Sequence, residues 1–187
     1  CLMTNPGQLI AMPRETDSLH RGLKRAHAAY ARYYHSSYGG QGHFWQARFS
    51  SCILSGPYRW RALAYVEMNP VRAGMTASAE EHPWSSAAAH LGQGRPYLPL
   101  ETCGFLRDWD PVTWRNALER MAVDYDFWKG LRGSTQTGRP LVPEDTLSLL
   151  EEELGRSLRP MKRGRKAKAA AGLSGPGPVQ NPLEFGD

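Results

Sequence analysis

Leu63, Val66 and Met68 supply apolar surface along residues 61–69, and Ala62 and Ala64 favour helix. Pro70 has no N–H and biases Asn69 away from helical backbone, so this helix is expected to end or kink sharply there. Tyr65 and Asn69 are four apart and share one face of it. Upstream, Thr16-Asp17-Ser18 offers N-caps, and Leu19, Leu23, Ala26, Tyr30 and Tyr33 follow at helical spacing. They predict a helix over 18–36, stopped by Gly39-Gly40, with Arg21, Lys24, Arg25 and Arg32 along a basic side.

Two stretches carry strand patterning instead. Cys1 to Met12 reads as a short strand broken at Asn5-Pro6-Gly7, which is turn chemistry. Gly42 to Ser55 alternates, with Phe44, Gln46 and Arg48 on one face and Trp45, Ala47 and Phe49 on the other. The second set is expected in the core. Gln46 and Arg48 are placed to reach a phosphate or a base edge. Further on, a Ser-capped helix is predicted over 87–91, and Asp110-Pro111 opens another that runs to about Gly130. Val112, Leu118, Met121, Ala122 and Tyr125 form one face of that helix. Trp109, Trp114 and Trp128 read as core anchors, with base stacking as the alternative.

Gly133 to Gly138 reads as a flexible link, and Glu144 to Leu154 as an amphipathic helix with Leu147, Leu150 and Leu154 on one stripe. From Arg156 to Lys168 there is no acidic residue. Lys162, Arg163, Arg165 and Lys166 make a basic arm that cannot bury itself and is expected to be disordered when free. Arg163-Gly164-Arg165 has the form of a minor-groove arm, and a generic solubilising tail is the alternative. Residues 169–187 are Gly/Pro-rich and linker-like.

Composition adds sign and compartment. The 187 residues carry a formal net charge of +5, which suits an anionic partner. No apolar run approaches the roughly 20 residues that span a bilayer. Cys1, Cys52 and Cys103 are odd in number and far apart, so the expectation is free thiols in a reducing, cytoplasmic setting.

Tyr65 and Asn69 taken alone fit two roles: a nucleophile beside a metal-coordinating oxygen, or a buried Tyr and an end-capping Asn. The wider context narrows this. Gly42-His43-Phe44-Trp45-Gln46-Ala47-Arg48-Phe49, the Tyr65 helix through Gly74, Pro83-Trp84-Ser85-Ser86 and Thr137-Gly138-Arg139-Pro140-Leu141 occur in that order. Their order and spacing resemble the REP-associated tyrosine transposases, a branch of the single-tyrosine HUH transposases, over Cys1 to about Lys168.

The resemblance implies an α+β fold, a ferredoxin-like antiparallel sheet with helices on one face, incomplete here and followed by C-terminal helices and a basic disordered tail. Residues 1–92 would be the C-terminal part of the catalytic domain, 93–132 a helical extension, 133–168 a linker, short helix and DNA-binding arm, and 169–187 a disordered tail. The first strand, helix and second strand would precede Cys1, and the chain would be marginally stable alone. In the family a tyrosine attacks single-stranded hairpin DNA to form a 5′-phosphotyrosine, helped by a divalent metal (Mg or Mn) on two histidines and an amide or carboxylate. By position Tyr65 is the nucleophile and Asn69 the third ligand. Arg72, with Gln46 and Arg48, joins the DNA-binding set.

The histidine positions hold Pro6 and Gln8. Pro6 has no side-chain ligand, and Gln8 offers one neutral oxygen. The expectation is a DNA-binding relative with weak or no cleavage. Two other classes stay open, a DNA-binding module without catalysis and a remnant of a mobile element.

Overall fold

The computed structural model describes residues 1–3, 7–94, 99–100, 103–121 and 123–160. Among them are eight α-helices: α1 (Ser18–Tyr38), α2 (Tyr58–Glu67), α3 (Asn69–Arg72), α4 (Ala87–His90), α5 (Cys103–Asp108), α6 (Pro111–Met121), α7 (Tyr125–Thr137) and α8 (Glu144–Leu154), with a 3-10 turn at Ala79–Glu81. The architecture is helical, and this corrects the expectation of a ferredoxin-like α+β sheet. Among the described residues the extended pairing amounts to one parallel bridge, Leu54 to Leu141, in which Leu141 N–H donates to Ile53 O at 2.8 Å.

Apart from that bridge, the described residues of the two strand-patterned stretches do not pair as strands, for a physical reason. A strand is stable only when a neighbour takes its backbone groups, and here those groups go elsewhere. Leu2 N–H donates to Trp84 O, and Gln8 N–H turns back to Cys1 O, both at 2.8 Å. His82, buried, sits 2.8 Å from Leu2 O through Nε2 and fixes the segment on the loop before α4. The 42–49 stretch lies against α1 instead. Phe44 packs on Tyr34 with ring centroids 4.7 Å apart, and Trp45 stacks on His27 at 4.3 Å. Trp45 and Phe49, expected in the core, are about two-fifths exposed.

The core forms around α2. Ala, Leu, Tyr, Trp and Val all round its circumference mark a helix enclosed by others. One face, with Trp60, Leu63 and Ala64, meets Phe105 of α5 and Trp114, Ala117 and Leu118 of α6. The other, with Tyr58, Ala62, Tyr65 and Val66, meets Phe127, Trp128 and Leu131 of α7. The end of α2 is set by Pro70. It cannot donate a backbone hydrogen bond, so α2 stops at Glu67 and the chain restarts as α3 with Pro near its first position.

The single helix predicted from Asp110 to about Gly130 is two. Asp110 does cap α6, its Oδ1 accepting from Val112 N–H at 2.9 Å and Thr113 N–H at 3.1 Å. A second start intervenes, where Asp124 caps α7 through Phe127 N–H at 3.1 Å. The break leaves Val112 and Tyr125, expected on the apolar face, 70% exposed. Gly133 to Gly138 is not a link. Through Thr137 it belongs to α7, which ends at Gly138 in the left-handed conformation (φ 70°) with its N–H on Ser134 O. Helix α8 has the predicted bounds, with Leu147 and Leu150 half-buried and Leu154 exposed.

Asp124 also pairs with Arg61 of α2. The Arg61 guanidinium, aided by the Phe127 N–H, holds the Asp124 carboxyl below its usual range despite the opposing push of burial. A folded-state value below the unfolded one, about 3.9, stabilises the fold above that pH and ceases to do so as pH falls through the folded value. Asp124→Ala is expected to cost about 1 kcal/mol at neutral pH, as for a lost cap. The difference in urea midpoint from the unsubstituted chain should hold steady down to about pH 5 and shrink below about pH 4. A difference that grows toward acid would refute the assignment.

Candidate functional site

Four residues singled out from sequence meet around the α2–α3 kink. Tyr65 sits on the last turn of α2, and Asn69 and Arg72 on α3. Gln8 arrives from the N-terminal segment fixed by His82 and Trp84. Asn69 Nδ2 donates to Gln8 Oε1, and the Arg72 guanidinium donates through one terminal nitrogen to Asn69 Oδ1. The guanidinium lies 4.1 Å from the Tyr65 ring centroid and 4.3 Å from that of Trp128. Cation–π contact of this kind contributes about 0.5–2 kcal/mol. Trp128 was legible as a core anchor; its place beside Tyr65 was not.

Tyr65 is only 7% exposed and Trp128 only 5%. The phenol is therefore shielded by Arg72 and Trp128 rather than held out to solvent. Burial pushes the Arg72 guanidinium below its usual value. The Tyr65 hydroxyl beside it draws it back up, and Arg132 pushes it down again.

The donor set does not fit a divalent cation. Magnesium and manganese prefer charged or freely available oxygens. Here Gln8 and Asn69 are neutral amides, each with its oxygen engaged, and a guanidinium occupies the ground beside them. Pro6 lies outside the described residues. Among the described residues no group of three or more His, Cys, Asp or Glu gathers in a way that could hold a metal.

Gln46 and Arg48 do not join this group. Both are exposed and line an open concavity with His27, His43 and Trp45 against α1. Separately, Arg21, Lys24, Arg25, Ala28, Ala29 and Arg32 form a stripe along α1. Arg21 is partly neutralised by Asp17 at 3.5 Å and Glu15 at 3.9 Å. Lys162, Arg163, Arg165 and Lys166 lie outside the described residues. Cys1 and Cys52 are free thiols, and no helix among the described residues is long and apolar enough to cross a membrane.

A second polar cluster went unnoticed in the sequence. Glu67, fully buried, accepts from Ser86 Oγ at 2.5 Å and from His90 Nδ1 at 2.6 Å through Oε1, and from Trp114 Nε1 at 2.9 Å through Oε2. The His90 ring stacks on Phe105, with centroids 4.1 Å apart. Ser86 donates to the carboxylate rather than to the histidine, so the cluster lacks the Ser–His contact of a nucleophilic triad. The available signal was an acid at the end of an apolar helix, with a Ser and a His four apart in the Ser86–His90 turn.

No protein-family model matches the chain, and neither a curated protein nor a solved structure does.

Proposed function

We propose that the chain is a DNA-binding protein of the REP-associated tyrosine transposase lineage, taking single-stranded hairpin DNA, with cleavage through a phosphotyrosine absent or very weak. The observation that carries this reading is the meeting of Gln8, Tyr65, Asn69 and Arg72. Spacing paired Tyr65 with Asn69 and the resemblance added Gln8 and Arg72, and packing of the N-terminal segment on α2–α3 brings the four into one contacting group. The arrangement favours binding over cleavage. In-line attack needs an exposed oxygen and close positioning, and a misplacement of about 1 Å costs roughly 10²-fold in rate. Tyr65 is buried under a guanidinium, and the amides beside it satisfy each other. The basic stripe of α1 supplies charge to track a phosphate backbone, Gln46 and Arg48 add exposed polar groups, and the partly exposed Trp45 supplies a stacking surface.

The test incubates the chain with a labelled single-stranded hairpin DNA and magnesium or manganese. A denaturing gel reads any covalent adduct, and a native gel reads binding over a salt series. The expected result is no adduct, with or without Tyr65→Phe, and a shift that fades as salt rises. An adduct that disappears in Tyr65→Phe would overturn the non-catalytic part. A folded chain that gives no shift at low salt would overturn DNA binding and leave the remnant of a mobile element.

A further inference from the structure

Arg72 differs from the other arginines around the core. Arg59 has Asp108 at 2.9 Å, Arg61 has Asp124, and Arg115 has Glu80 at 2.7 Å. Arg72 has no carboxylate in hydrogen-bond or ion-pair contact among the described residues. The groups that act on its charge are the Tyr65 hydroxyl and a second cation, Arg132. One terminal nitrogen is anchored on Asn69 Oδ1, which Gln8 holds in turn. The other, Nη1, is buried with no hydrogen-bond partner. A buried donor left unsatisfied is costly, most of all on a charged group.

The guanidinium is also enclosed by two aromatic rings. Tyr65 and Trp128, whose ring planes are inclined at 61° with centroids 6.0 Å apart, flank its central carbon at 4.1 and 4.3 Å. Arg132 lies one helical turn beyond Trp128 on α7, exposed, so it shares that face of the helix. The result is two cations without a carboxylate partner between them among the described residues, one anchored with an unpartnered donor and the other exposed. Flat, forked donors of this kind recognise phosphate oxygens.

We propose that Arg72, set between Tyr65 and Trp128 and backed by Arg132, is the centre of a metal-independent site for a phosphate oxyanion. Arg72 supplies the directed N–H donors and Arg132 adds long-range charge. Gln8 and Asn69 position Arg72 rather than binding a metal. The side chain as a whole is half-buried, and an entering oxygen reaches the buried Nη1 by displacing the groups that cover it. The shared chemistry covers two sources, a phosphodiester of the DNA backbone and free phosphate. Assigning the backbone as the source rests on the proposed DNA binding.

The full chain would be titrated in EDTA with sodium phosphate at constant ionic strength by calorimetry, and with a labelled single-stranded oligonucleotide by anisotropy. Phosphate is expected to bind in EDTA, and Arg72→Gln to weaken it about 10- to 100-fold, the weight of a charge-assisted hydrogen bond. Arg72→Lys should fail to restore it, since an ammonium lacks the planar fork. Arg132→Gln, at an exposed position that the fold does not need, should weaken it several-fold, and this variant decides the matter if Arg72→Gln fails to fold. For DNA, Arg72→Gln should lower the slope of log affinity against log salt by about 0.7, the share of one single-strand phosphate.

Phosphate binding that needs added metal, or that is unchanged in folded Arg72→Gln or in Arg132→Gln, would overturn the site. If DNA still binds in that case, the DNA-binding reading stands without it. Phosphate binding lost in Arg72→Gln, in a chain that binds no DNA, would uphold the site with free phosphate as its ligand and sink the DNA-binding reading.

Discussion

Replacing Glu67 by alanine is expected to destabilise the fold by about 3–5 kcal/mol, the scale for removing one partner of a buried polar pair. Domains of this size have about 5–15 kcal/mol in total, so the variant should sit near its folding threshold. Glu67 is fully buried at the end of the central helix, and three donors from two other elements converge on it: Ser86 and His90 from the α4 turn, and Trp114 from α6. Alanine would leave all three without an acceptor and open a cavity as well.

Glu67→Gln separates these terms. It keeps the volume and one acceptor oxygen, but sets an NH2 against a donor, with Trp114 Nε1–H the donor at Oε2. The expected cost is about 1–3 kcal/mol. Trp114→Phe should be less damaging when combined with Glu67→Gln than alone, because the opposed donor is gone. A urea-denaturation double-mutant cycle reads that coupling directly. Strict additivity of the two substitutions, or Glu67→Ala within about 0.5 kcal/mol of the unsubstituted chain, would show that the cluster does not hold the fold together.

Glu67 also marks where sequence reasoning stopped. Local signals were legible. Ser18 opens α1, Asp110 caps α6, and the helix carrying Tyr65 kinks before Pro70. Each depends on neighbours within about one turn. The Glu67 cluster depends on residues 19 to 47 positions away, and helical spacing says nothing about such pairings. The sheet failed for a related reason. The alternation from Phe44 to Phe49 is a true period-two pattern, but period two makes a strand only when a partner exists. Stacking of Phe44 and Trp45 on α1 supplied a different use for the same aromatics. In α7 the error ran the other way. Gly130 suggested a helix end and Gly133 to Gly138 a link, yet burial of Phe127, Trp128 and Leu131 on one stripe outweighs the roughly 1 kcal/mol that each of the interior Gly130 and Gly133 costs. The candidate site was half legible. The α2–α3 part lies within eight residues, whereas Gln8 and Trp128 reach it only through tertiary packing.

The second large effect concerns charge on α1. Substituting Lys24, Arg25 and Arg32 together by glutamine is expected to weaken single-stranded DNA binding by about 10²- to 10³-fold near 50 mM salt, and to lower the salt slope by about 2, the share of three single-strand phosphate contacts. No residue of α1 is buried, so the helix contributes little to the core and the triple variant should fold normally. Lys24, Arg25 and Arg32 lie along one stripe with Ala28 and Ala29 between them, and those small side chains let a backbone approach closely. Arg21 is left in place because Asp17 and Glu15 already share its charge. A parallel variant carries glutamine in place of Lys162, Arg163, Arg165 and Lys166. Electrostatic binding falls in proportion to the phosphates released, so the two slopes divide the interface between helix and arm without any assumption about DNA sequence. A slope unchanged in the α1 variant, with binding retained, would remove the helix from the interface. A slope lowered by about 2 in α1 and unchanged in the arm variant would put the DNA on the α1 stripe.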